Sequence, residues 1–394
     1  MGAVSQDSAG IAIHESDIAI GEPLPWDVYD GHGNLLLRQG FIIRAGRQRE
    51  ALVARGLHRK WMQGRDAPSL AETRPVPEAP AETRRVFDLV DALIERLKWT
   101  YTAMVGGRAD APARLEQIAL DIQAACEAAP DAMLAALHIS QDGPYALLDP
   151  LHGAVLCELV TRRLGTPARD RLPIVAAALS HDVGMLEMQE ALRRQATPLS
   201  ETQWVEVRRH PAKGVDLLVR AGVENAVWLD AALHHHERLD GSGYPDGLAG
   251  DSVSMEARLV AIADVYAAMV RPRAYRDALL ATAALRQIFM ERGKQIDARL
   301  AEVFIKEVGV FPPGALVRLA SGEVGVVAGR SEDASHPPVF GVLSKQGGVA
   351  TRAVERDTRQ AEHAIVEMLP HRKFRALTGT LRGFWPPLPS GRSL

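Results

Sequence analysis

The chain is 394 residues long, 47% hydrophobic and 24% charged. That is enough for two or three folded domains and too apolar for a largely disordered chain. Its 46 Lys and Arg against 49 Asp and Glu leave a formal charge of −3, with only 5% aromatics, so it has neither the basic balance of a nucleic-acid binder nor the stacking surfaces of a single-strand binder.

Residues 1–63 read as a small N-terminal α/β or β unit with a regulatory or interaction role. Leu24 to Tyr29 is apolar, Asp30 to Asn34 is turn chemistry, Leu35–Leu37 and Phe41–Ile43 are short strands, and Arg47 to Arg55 is helical. Residues 64–84 are a Pro-rich, semi-rigid linker. Residues 85–309 carry helical apolar periodicity, as in Val86, Leu89, Val90, Leu93, Ile94 and Leu97, or Leu115, Ile118, Ile122 and Cys126. Ser200 to Gln203 is a capping box that opens a helix carrying His210. A further helix spans 253–270, and Asp240 to Asp251 is a long irregular insert. In residues 310–360, Ala315–Leu319 and Val324–Val327 flank Ser321-Gly322 as a hairpin, with Val339 to Leu343 as a third strand. Residues 361–394 read as a helix-like piece followed by a basic, solvated tail. Cys126 and Cys157, without a CxxC pattern, give no disulfide framework. No apolar stretch reaches about 18 residues, and the first residues lack a signal-peptide pattern. A cytoplasmic protein with no membrane span is expected.

Histidine is the anomaly. Six of the 13 fall in one central segment: His152, His181, His210, His234, His235 and His236. His181-Asp182 follows an apolar helix, and neighbouring side chains on a helix diverge by about 100°. Both can serve metal only where the helix end meets it, or where the carboxylate bridges two ions. Asp264 lies on the apolar stripe of the 253–270 helix, where a carboxylate needs a partner. Imidazole and carboxylate donors spread over several helices suit Fe, Mn, Zn or Ni in a bundle core, and no cysteine is available for a structural zinc site.

The string HHERLDGSGYP, with HD upstream and DVYAAM…RPRAYR downstream, resembles the HD-GYP family of cyclic di-GMP phosphodiesterases over roughly residues 145–330. The resemblance implies a mainly α protein, with an HD-type helical bundle, the small N-terminal unit and a C-terminal β-hairpin segment. It implies two divalent ions, Fe or Mn, since the position that holds a third-metal glutamate in the family is Leu148. His152, His181, Asp182 and Asp264 are the expected ligands of one metal, and His210, His235 and His236 complete the other. Asp182 bridges, and with His181 forms the catalytic pair; His234 stands outside the motif. Arg273, Arg276, Gly243, Tyr244, Pro245 and Met185 are the expected substrate-binding residues. The glycine-rich loop 240–247 is also the expected contact for diguanylate cyclase partners, and a homodimer is left open.

The implied activity is metal-assisted hydrolysis of cyclic di-GMP to pGpG, and onward to GMP in some members. Three positions depart from the family pattern: Met185 replaces a phosphate-binding lysine, Leu239 a tryptophan, and Ala267 a carboxylate. No expected metal ligand is lost. Met185 leaves open a metal-bearing receptor or scaffold with feeble turnover, and a mixed cyclic dinucleotide is a further candidate substrate.

Overall fold

The computed structural model describes residues 11–12, 28–29, 35–37, 53, 57–58, 85–141, 143–273, 276–385 and 388. The chain divides into two compact units, Met1–Pro77 and Glu78–Leu394. In the first, β1 (Ile11–Ala12), β2 (Val28–Tyr29), β3 (Leu35–Leu37) and β4 (Leu57–His58) form an antiparallel sheet in the order β1-β4-β2-β3. Leu35–Leu37 is thus the strand its composition predicts. The expected strand Phe41–Ile43, the linker 64–84 and, apart from Val53, the expected helix Arg47–Arg55 lie outside the described residues.

The second unit is built around one helix. After α1 (Val86–Val105), α2 (Ala111–Ala128) and α3 (Pro130–Ile139) comes α4 (Tyr145–Arg163), in which every residue from Leu147 to Thr161 is buried. A helix apolar all round is a core helix. It packs against α2, α5 (Ala168–Ser180), α9 (Met255–Met269) and α11 (Ala298–Val308). Between α5 and α9 lie a 3₁₀ turn (Val183–Met185), α6 (Leu186–Arg194), α7 (Glu201–Arg220) and α8 (Ala226–His234), and α10 (Ala281–Glu291) precedes α11. The predicted capping box is present: the Ser200 hydroxyl accepts from the Gln203 backbone N–H, and the Gln203 side chain accepts from the Ser200 N–H. The helices share one apolar core, in which both cysteines are buried and unpaired.

The C-terminal part corrects one expectation. The hairpin β5 (Leu316–Leu319) and β6 (Val324–Val327) forms, and β7 (Val339–Leu343) follows it. The sheet has five strands, however, in the order β8-β7-β6-β5-β9, with β8 at Glu355–Arg356 and β9 at Ile365–Leu369. β9 comes from the piece read as helix-like, just ahead of the basic tail. The chain then continues through a 3₁₀ segment and α12 (Thr378–Arg382) into buried Phe384 and Trp385. The Trp385 ring sits 5.8 Å from Phe87 of α1, and its indole N–H donates to the Ala328 carbonyl. The basic residues that signalled solvent instead reach partners: Arg372 pairs with Asp277 and Arg382 with Asp91. Burial of a few aromatic and aliphatic side chains outweighs the charge of their neighbours.

Candidate metal centre

The histidines are positioned by helix ends and one proline. His181 follows the last residue of α5, and its Nδ1–H donates to Ala178 O of that helix's final turn at 2.9 Å. His235 follows α8 in the same way, with Nδ1–H on Ala232 O at 2.8 Å. His210 lies inside α7 and donates to Val207 O at 2.6 Å. That carbonyl is free because its usual helical donor, four residues on, is Pro211, which has no N–H. In each ring Nδ1 is engaged by a carbonyl, which leaves Nε2 as the atom turned toward the centre, the one through which imidazole binds metal.

Those Nε2 atoms converge on Asp182. Its Oδ1 lies 3.2 Å from His210 Nε2 and 4.0 Å from His235 Nε2, while its Oδ2 lies 3.9 Å from His181 Nε2. On that second side His181 Nε2 also lies 3.5 Å from Asp264 Oδ1. One carboxylate therefore faces two donor groups, one oxygen to each. Asp182, His210, His235 and His236 each bring a donor atom within 4.8 Å of the others.

The donor set fits a divalent cation. His210 Nε2 and His235 Nε2 stand 3.2 Å apart, and with both protons held at Nδ1 two lone pairs face each other, which a cation between them would relieve. His181 Nε2 is buried without a hydrogen-bond partner, a position that otherwise costs desolvation free energy. Burial pushes His235 well down, helped by the neighbouring imidazoles, and lowers His236 to about 4, so both are neutral. Burial opposes charge on His181 as well, but Asp182 and Asp264 outweigh it and lift its imidazole to about 9. The two carboxylates stay below their ordinary range: burial works against their charge, and His181, with His210 at Asp182, more than offsets it.

Backbone contact holds the cluster closed. A Cβ on Gly184 would lie 2.2 Å from His210 O and 2.5 Å from Gly214 N, so only glycine lets the turn after Asp182 lie against α7. Gly243 is similarly constrained, with Glu237 Cα and His236 O within 2.6 Å of a built Cβ. This close approach folds the loop back on the histidines, and the Tyr244 ring packs on His236 at 4.7 Å. The Tyr244–Pro245 peptide is cis.

Several contributing residues carry no expected role from the sequence. The buried Glu237 carboxylate accepts the backbone N–H groups of Asp246, Gly247 and Leu248, fixing the loop. Gln189 donates to Asp182 Oδ2 at 3.0 Å. His234 joins Asp230 to Asp246 at the loop's edge. A cleft of about 560 Å³ runs along the cluster, lined by His235, His236, Tyr244 and Asp264 together with Arg208 and Arg238. This is within the usual range for small-molecule sites. Spacing alone could not place Arg208, two residues before His210, or Arg238 on a cleft wall.

Other expected residues lie elsewhere. Arg273 and Arg276 do not line the cleft. Arg273 donates to Asp149 Oδ2 at 3.0 Å and lies over the Tyr145 ring, and Arg276 donates to Ala268 O. Met185 ends the turn after Asp182, half-buried. The His152 ring packs edge-on to His138 at 5.6 Å, its Nδ1 accepts from Arg271 Nη2 at 2.9 Å, and its Nε2, like that of His181, is buried without a hydrogen-bond partner.

An HD domain profile matches residues 136–300. The chain is 30% identical over 311 residues to the cyclic di-GMP phosphodiesterase PA4108 of Pseudomonas aeruginosa, covering 74% of each chain. The chain belongs to the HD-GYP family of HD-domain proteins. It is also 30% identical over 174 residues to a 3′3′-cGAMP-specific phosphodiesterase of Vibrio cholerae, covering 44% of this chain and 38% of that one. Among solved structures, an HD-GYP protein of Bdellovibrio bacteriovorus, Bd1817, shares the fold with a TM-score of 0.50 at 13% identity, over 74% of this chain and 97% of that one. No described helix is long and apolar enough to cross a membrane.

Proposed function

We propose that this chain is a metal-dependent cyclic-dinucleotide phosphodiesterase that opens cyclic di-GMP to pGpG. The observation that carries the reading is Asp182, whose Oδ1 faces His210 and His235 while its Oδ2 faces His181. His181, Asp264 and Asp182 would hold one ion, and His210, His235, His236 and Asp182 a second; Fe or Mn suits these donors. Bound there, such ions supply an activated water and neutralise charge on a phosphodiester.

The chain's own residues supply the rest. Arg208 and Arg238 give the cleft positive charge for a phosphate. Tyr244 offers a ring beside His236 against which a base can pack. Glu237 fixes the loop that carries Tyr244, and Gly184 keeps Asp182 seated against α7. The relatives' names point to cyclic dinucleotides of two kinds, and the mixed guanine–adenine form is the competing substrate. Contact of the loop with a diguanylate cyclase, and a homodimer, are further proposals of this reading.

Purified protein loaded anaerobically with Mn(II) or Fe(II) is expected to convert cyclic di-GMP to pGpG, followed by chromatography. Asp182→Asn should lower turnover by roughly 10³-fold or more and release metal. Preference for the mixed dinucleotide in side-by-side assays would move the substrate assignment. Metal-loaded protein that binds cyclic di-GMP tightly without any product would make it a receptor.

A further inference from the structure

The cleft along the metal centre carries one acid that nothing in the protein uses. Four carboxylates line it: Glu237, Asp264, Glu291 and Asp297. Glu237 accepts three backbone N–H groups of the loop. Asp264 faces His181. Asp297 pairs with Arg258 and caps α11 by accepting from the Leu300 N–H. Glu291 is half-buried as the last residue of α10, and among the described residues its carboxylate has no hydrogen bond or ion pair. Its backbone is fixed all the same, since its carbonyl accepts the N–H groups of Lys294, Gln295 and Ile296. The position is awkward for a negative charge twice over. The helix dipole disfavours an anion at a C-terminus, and a bare carboxylate repels the phosphates that Arg208 and Arg238 would attract into the same cleft.

A nucleobase resolves the conflict. The Watson–Crick edge of guanine presents N1–H and N2–H side by side, and one carboxylate can accept both in parallel. Adenine presents a single donor at N6 and a lone pair at N1, which a carboxylate meets with one bond and one repulsion. Gln287 lies one turn before Glu291 on the same face of α10, lines the same cleft, and has an amide uncommitted among the described residues, so its N–H can reach the guanine O6. Trp204 of α7 lines the cleft too. It is 48% exposed, with the Arg208 guanidinium 6.0 Å from its ring. A large ring left in water on a cleft wall is a surface on which a base can lie, and stacking does not depend on which base it is.

We propose that Glu291, with Gln287 beside it, reads the Watson–Crick edge of a guanine that lies on Trp204, so that the cleft selects guanine over adenine. This deepens the phosphodiesterase reading and rests on it in one respect, that a cyclic dinucleotide occupies the cleft. Trp204 supplies affinity without selectivity, and Glu291 supplies selectivity.

The two roles separate in a binding experiment. The full chain is stripped of metal with a chelator, so that ligand is not consumed, and titrated calorimetrically with cyclic di-GMP and with cyclic di-AMP. The ratio of kcat/KM for the two is read in parallel on manganese-loaded protein. Wild type should favour cyclic di-GMP by about tenfold or more, the discrimination of one bidentate base contact. Glu291→Gln should cut that preference by roughly tenfold, because an amide pairs with N6–H and N1 of adenine and loses one of the two bonds to guanine. It should melt no lower than wild type, since it removes a charge that the helix dipole opposes. Trp204→Leu should weaken both ligands by roughly fivefold or more with the preference intact. An unchanged preference in Glu291→Gln, or equal loss of both ligands, overturns the inference, as does wild type that takes the two bases alike. Unaltered affinity in Trp204→Leu removes the platform from it. Turnover of cyclic di-GMP with a preference independent of Glu291 would leave the phosphodiesterase reading standing without this one. A Glu291-dependent preference in protein that forms no product would do the reverse.

Discussion

The second unit buries two aspartates that solve the same problem in opposite ways. Asp182 is surrounded by imidazoles, each with Nδ1 engaged by a backbone carbonyl and Nε2 turned inward. Asp149 is surrounded by guanidiniums, which cannot give up a proton. A carboxylate beside imidazoles such as His235 and His236, which burial keeps neutral, leaves donor atoms that a divalent cation can take. The carboxylate between two arginines has permanent positive charge beside it instead. Both clusters look alike in composition, as buried acid beside nitrogen bases. Only the kind of base separates a centre built to bind from a wall built to stay shut.

The largest way to test that contrast is to remove the wall's charge. Arg271→Met leaves Asp149 buried with Arg273 as its remaining partner, and breaking such a pair costs about 3–5 kcal/mol. Chemical denaturation should show that loss, while manganese per folded chain stays unchanged. If metal disappears together with stability, the two clusters are one. Protonation gives a second handle of about 3 kcal/mol at most. Burial lowers His138, which packs on His152 and accepts from the Tyr266 hydroxyl, to about 4, with Arg271 and His371 pushing the same way. An unfolded histidine titrates near 6.5. Between those values the unfolded chain takes up the proton and the folded one does not, so the His138 contribution is full above pH 6.5 and is lost as pH falls toward 4. The stability advantage of wild type over His138→Gln should shrink across that window in denaturation curves and stay constant above it.

The sequence made the imidazole side legible because its geometry is encoded locally. His181 and His235 sit where apolar helices stop, His210 precedes a proline, and Asp264 falls on an apolar stripe. Each of these is a short-range signal, and the motif that joins them is long. The arginine side was not legible. Asp149 and Arg271 are more than 120 residues apart, and nothing in either segment's periodicity announces an ion pair. Arg208 and Arg238 failed to register for the same reason, since the cleft they line exists only once α7 and the loop after α8 are folded together. At the C-terminus, charge masked the sparse apolar residues that anchor β9 and Trp385.

On the imidazole side the contrast can be sharpened through the backbone. Gly184→Ala must push the turn after Asp182 away from His210 and Gly214, at about 1–3 kcal/mol. The shift moves Asp182 relative to three rings, so metal affinity should fall further than stability does. Titration of the metal-free variant with Mn(II), beside its melting temperature, separates the two. A variant that melts lower yet binds Mn(II) as wild type would mean the turn does not set the position of Asp182.

The smallest change adds charge where the family pattern has it. Met185 ends the turn that begins at Asp182 and is half-buried there. Met185→Lys places an ammonium on a stem of similar length, and one added exposed charge contact is worth about 1 kcal/mol at most, or about fivefold. If the turn faces a substrate phosphate, KM for cyclic di-GMP should fall by up to that factor with kcat unchanged or raised. An unchanged KM would shift phosphate recognition to the other wall of the cleft. Arg208→Gln or Arg238→Gln should then raise KM, because those guanidiniums would be the only positive charges left to meet the ligand among the described residues lining it, apart from Arg258, which is already tied to Asp297 and Asp251.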